Sequence, residues 1–146
     1  MAHVRKQIRD NIITILTGLS TTGANVFASR AYPIQSAATP GLCIYTSSEQ
    51  VEALSIKPPR GLARSLEVSV EAYVESAAPD DVLDTIAAEI EAAMTTDLTR
   101  GGTARDTQLT SFDADFAGEG ENPVVVGRFV FEIMYSTLET DPETVY

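Results

Sequence analysis

Between Leu62 and Asp97 the hydrophobic pattern changes its period once, from two residues to about 3.6. No other feature constrains the fold as tightly. Leu66, Val68, Val70, Ala72 and Val74 fall on one side of an extended segment. Ser65, Glu67, Ser69, Glu71 and Glu75 fall on the other, with Tyr73 the one large exception. Alternation of this kind makes an antiparallel strand with one face on a core and one face free. Pro79 then opens a helix, in which Val82, Leu83, Ile86, Ile90 and Met94 form an apolar stripe at helical spacing. Strand and helix are expected to cover each other's apolar sides. Leu66, Val68, Val70, Ile86, Ile90, Phe129 and Phe131 are expected to be buried together.

The remaining segments pack around this pair. In residues 3–19, Val4, Ile8, Ile12, Ile15, Leu16 and Leu19 recur at three- and four-residue steps, so a first helix is expected, with Arg5, Lys6, Arg9 and Asp10 facing away. Gly18 and Gly23 end it. A short strand carrying Val26 and Phe27 runs to Tyr32, and Pro33 closes it because proline has no amide proton for a ladder. A second strand covers residues 42–48. Residues 49–64 read as a long hairpin arm, mobile at its Pro58-Pro59-Arg60-Gly61 tip, with Val51, Leu54, Ile56, Lys57 and Arg60 offered to a partner. After the second helix comes a Gly-Gly turn region with Arg100 and Arg105. A strand at 109–116 follows, with Phe112 and Phe116 opposite Asp113 and Asp115. The last strand, 124–137, is apolar on both sides and so is expected to be central in its sheet or covered by a second body. Residues 138–146 read as a loose acidic tail. The order α-β-β-β-α-β-β describes a single α+β domain over 1–146, with two helices against an antiparallel or mixed sheet of about five strands.

Composition narrows the function classes. A chain of 146 residues is one ordinary domain. Its 21 acidic and 10 basic side chains give a formal charge of −11, which disfavours binding to nucleic acid phosphates. The single cysteine, Cys43, lies in an apolar run and is expected to be a buried thiol. No apolar run approaches the roughly 20 residues of a membrane span, and no signal-type core is present, so a cytoplasmic site of synthesis is expected. His3 has no companion ligand, so no metal is expected. Asp80, Asp81 and Asp84 fit the positive end of a helix better than an acid–base cluster. Neither a Gly-x-Ser-x-Gly elbow nor a phosphate loop occurs, and no enzyme or cofactor is expected.

The order of pieces carries a family resemblance. An amphipathic helix precedes Val26-Phe27-Ala-Ser-Arg30-Ala-Tyr-Pro33 and Pro40-Gly-Leu-Cys-Ile-Tyr45. Then come Leu66 to Val74, Pro79-Asp80-Asp-Val-Leu-Asp84, Ile86 to Met94 and finally Phe129-Val-Phe-Glu-Ile-Met-Tyr135. Over residues 3–136 this resembles the tail terminator proteins of long-tailed phages. The resemblance implies a structural virion protein that forms a homo-hexameric ring at the head-proximal end of the tail, assembled in the cytoplasm of a bacterial host. Such a ring caps the tail tube protein, stops its polymerisation and meets the head–tail connector protein, while DNA passes through without specific binding. The arm at 49–64 and the acidic tail depart from the family pattern. Alternative readings are a head–tail joining protein of related fold and a small-molecule-binding α+β domain. Asp80 and Asp81 are expected at a subunit boundary, because desolvated carboxylates there need a cation. Arg30, Arg64, Arg100 and Arg105 are the loop cations able to reach across.

Overall fold

A computed structural model describes residues 2–28, 40–117 and 123–146. Its elements in chain order are α1 (Val4–Leu16), β1 (Val26–Phe27), β2 (Gly41–Ala53), β3 (Gly61–Glu75), α2 (Pro79–Met94), β4 (Asp106–Ala117), β5 (Val124–Leu138) and β6 (Asp141–Val145). The strands form one mixed sheet in the order β1-β2-β3-β5-β4, with β6 paired to β5; among the described residues only β1 and β2 run parallel. The α+β class and element order agree with the sequence reading, with six strands among the described residues in place of about five.

Cross-strand partners share a face, so the register divides the sheet cleanly. Leu66, Val68, Val70, Ala72 and Val74 of β3 stand opposite Ile133, Phe131, Phe129, Gly127 and Val125 of β5. All of these except Gly127 belong to one buried cluster with Val4, Ile8, Ile12 and Leu16 of α1 and Leu83, Ile86, Ile90 and Met94 of α2. The seven residues expected to be buried together are all in it. Both helices therefore lie on one side of the sheet. β5, between β3 and β4, is central, which accounts for its apolar residues on both sides.

Local chemistry fixes the helices. His3 caps α1, its Nδ1 accepting from the Arg5 amide at 3.0 Å. Pro79 starts α2, where a fixed φ suits the first turn and no amide is wasted. Glu89 ties α2 to the turn after α1, accepting from the backbone N–H of Thr21 at 2.9 Å and from its hydroxyl. Gly127 is the close approach: an added Cβ would lie 2.5 Å from Leu83 Cδ1.

Arg100 was expected to be a loop cation free to reach a neighbour, and it is instead 1% exposed. Its guanidinium donates to the carbonyls of Met94 (2.6 Å) and Asp97, closing the C-terminus of α2, where four carbonyls lack helical partners. Burial lowers its pKa. The turn that delivers it uses φ of 51° at Arg100, 75° at Gly101 and 90° at Gly102. Asp97 steadies this turn by accepting from the Thr99 hydroxyl and the amides of Thr99 and Gly101, hydrogen bonds that lower its pKa.

One further expectation is corrected. The tail is not loose: Asp141–Val145 pairs with the end of β5, and the Tyr146 amide donates to the Ser136 carbonyl at 2.8 Å. In the hairpin arm at 49–64, β2 and β3 remain in register from Glu49↔Leu66 to Ala53↔Leu62. Only residues 54–60 form the connection, closed by the Leu54 amide donating to the Gly61 carbonyl at 2.7 Å. Pairing of β3 with β5 down to Gly61↔Leu138 supplies the rigid base that local sequence did not reveal.

Candidate assembly surfaces

The face of the sheet opposite the helices carries the charge. At the paired positions of β2 to β5 its carboxylates number eight: Glu52, Glu67, Glu71, Glu75, Asp106, Asp113, Asp115 and Glu132. Arg128 is the one cation among those positions. No helix among the described residues covers this face. Hydroxyl groups temper the crowding of charge: Glu71 accepts from Tyr45 and from Tyr73 (3.0 Å), Glu67 from Ser48 (3.0 Å) and Glu132 from Ser65 (2.7 Å). Burial, with the Glu71 carboxylate beside them, raises the pKa of Tyr45 and Tyr73. Cys43, wholly buried beneath this group, is pushed up to about 11 by burial and by Glu71. An open groove of about 510 Å³ lies at the arm end, between Gln50 and Glu52 on one side and Arg105 and Asp106 on the other.

The hairpin formed by the ends of β2 and β3 has a polar anchor on the helix side. The Glu49 side chain is 6% exposed and accepts from Arg5 and Arg64, each at 3.0 Å, and from the Tyr135 hydroxyl. Arg64 also donates to the Thr137 hydroxyl at 3.0 Å and stacks 5.9 Å from the Tyr135 ring. Burial, then the Glu49 hydrogen bond, raises the Tyr135 pKa. Arg64 is therefore committed within its own chain, which corrects the expectation that it reaches a neighbour. Arg5 is likewise turned toward the sheet rather than away from it.

Beyond this anchor the arm opens to solvent. Val51 and Leu54 are about half exposed, Ile56 is 93% exposed, and Lys57 has no ion-pair partner among the described residues. Arg60 is held by Glu139, at 3.4 Å between side chains and 2.6 Å from its amide. Asp80 and Asp81 are exposed in the first turn of α2, at the opposite end of the 15-residue β3. The strand rise separates them from the arm by roughly 45 Å. The expected interface residues thus form two distant groups; Arg30 lies outside the described residues. Sequence reading did not single out the outer edge of β4, where Leu109, Phe112 and Phe116 are exposed on the helix side. Phe112 and Phe116 stand on one side of an alternation whose other side is Asp113 and Asp115, but nothing local reveals that α2 stops short of them.

Among the described residues no cluster of three or more His, Cys, Asp or Glu side chains is arranged to hold a metal. No helix among them is long and apolar enough to cross a membrane. No family model matches the chain, and no curated protein does. Among solved structures, the fold is similar to a chain of the virion of a native gene transfer agent particle. The two share 16% identity over 92% of each chain, with a TM-score of 0.48.

Proposed function

We propose that this protein is a non-enzymatic structural component of a phage-type virion, a tail terminator working as a homo-hexameric ring. The observation that carries the reading is the uncovered sheet face with eight carboxylates and one guanidinium at its paired positions. Net charge keeps a protein soluble, but concentrating like charge on one side weakens the compact state by self-repulsion. A ring with this face inward has a use for it, since an acidic lumen repels the phosphate backbone and lets DNA pass without sticking. Six copies multiply the formal charge of −11 sixfold. The helix side faces outward in this arrangement. The end of the sheet that carries Asp80 and Asp81 is then a surface for the tail tube or the head connector.

The reading also draws on the sequence resemblance to tail terminators. Negative-stain microscopy of the protein mixed with tail-tube subunits tests it. Rings capping one end of tubes, with tube growth arrested, are the expected result. Tubes of unchanged length without terminal density would overturn it. Rings bound to the connector but never to tubes would favour a head–tail joining role.

A further inference from the structure

The edge strand β4 has a feature that soluble monomers usually avoid. It is 12 residues long, its outer edge is unpaired among the described residues, and residues 108–116 are all exposed. Long, open, partly apolar edges are templates for another chain, and proteins that must stay monomeric shorten or cover them. Phe116 is 65% and Phe112 43% exposed, although Phe112 rests on Phe129 with ring centroids 4.9 Å apart. Asp113 and Asp115 stand on the other side of the same strand, with no ion pair among the described residues. β4 carries three acids and no base.

The arm is complementary in each respect. Residues 54–60 carry Lys57 and Arg60 and no acid, and of their two large apolar side chains Ile56 is the more exposed. Arm and edge belong to different parts of one chain, so pairing one copy's arm with the next copy's edge is head-to-tail. Such contacts repeat around a ring, whereas a two-fold contact stops at a dimer.

We propose that the β4 edge is the seat for the arm of the neighbouring copy, with Ile56 against Phe112 and Phe116 and with Lys57 facing Asp113 and Asp115. The proposal rests on the ring reading and adds the contact that closes the ring. Apolar anchoring supplies the affinity, and the charges set the direction of approach.

Head-to-tail contacts have a diagnostic behaviour in mixtures. Ile56→Asp spoils only the arm and Phe116→Asp only the edge; both sites are exposed, and circular dichroism verifies that each variant folds. Each variant alone should be monomeric in native mass spectrometry, with self-association weakened at least about 30-fold, the loss expected at an interface hot spot. Mixed together, one intact arm and one intact edge remain, so a one-to-one heterodimer should form and grow no further. Lys57→Glu should weaken rings, and Asp115→Lys on the partner copy should restore them. If the wild type forms rings and both Asp variants still do, the surface assignment is wrong while the ring reading stands. If mixing restores no heterodimer, the contact is not arm to edge. A wild type that remains monomeric at every concentration overturns the ring reading, and this inference with it.

Discussion

The helix side and the open side of the sheet are built on the same paired strands, yet they accept opposite side chains. On the helix side, Val70 meets Phe129 and Val68 meets Phe131 beneath Ile86 and Ile90, and every one of these is at most 2% exposed. On the open side, the residues one step along are Ser69, Glu71, Val130 and Arg128. Burial stabilises the first set by about 25 cal/mol per Å² of apolar surface removed from water. The second set adds little to folding and concentrates charge instead. The contrast separates the side that holds the domain together from the side that folding leaves to solvent.

Measurements that probe the two sides should therefore give very different magnitudes. Ile90→Ala, on the helix side, should cost about 2–5 kcal/mol in denaturant titration, from lost transfer energy and the cavity left behind. A loss under about 0.5 kcal/mol, typical of surface sites, would place Ile90 outside the core. Gly127→Ala should cost about 1–3 kcal/mol, since the added methyl runs into Leu83 and the helix must shift. Arg100→Met keeps the length of the side chain but removes the donors to Met94 and Asp97. It should cost about 1–3 kcal/mol and increase amide exchange in the last turn of α2. On the open side, Asp113→Asn or Glu67→Gln should shift stability by no more than about 0.5 kcal/mol. An effect as large as that of Ile90→Ala would mean that the open side is part of the fold's support.

Cys43 lies at the boundary of this contrast, on the open side by register but wholly buried. Its folded pKa, about 11, stands above its unfolded 9.0. The folded state thus holds the proton more tightly, so stability is unaffected below pH 9 and falls as pH rises from 9 toward 11. Cys43→Ala should flatten that part of the alkaline loss, leaving the portion due to Tyr45, Tyr73 and Tyr135. The native thiol should also react with disulfide reagents only after unfolding. Rapid labelling of the native protein would mean that the open side is looser there than its burial indicates.

Much of the fold was legible because the informative residues are local. Alternation from Leu66 to Val74 and the stripe from Val82 to Met94 set strand, helix and the buried side of each, since period and apolarity are properties of a short window. The apolar character of β5 on both sides announced a central strand before its neighbours were known. The candidate surfaces were legible only in part: Ile56 and Lys57 stood out beside two prolines, and Asp80 and Asp81 beside Pro79.

What depended on distant segments was hidden. A nearby Glu49 cannot reveal that Arg5 and Arg64 converge on it, because one arrives from α1 and the other from β3. Arg100 reads as a surface cation in a Gly-Gly turn, and only the end of α2 supplies the carbonyls that make its burial tolerable. The acidic tail looks unstructured until the free edge at the end of β5 is there to pair with it. By itself, then, the sequence determined the α+β class, the core face and the acidic character of the chain, through period and charge. The tertiary structure decided which charges are spent internally, which edge is left open and which side of the sheet the helices leave uncovered. Hydrogen bonds and ion pairs join residues far apart in sequence, and register alone places them together.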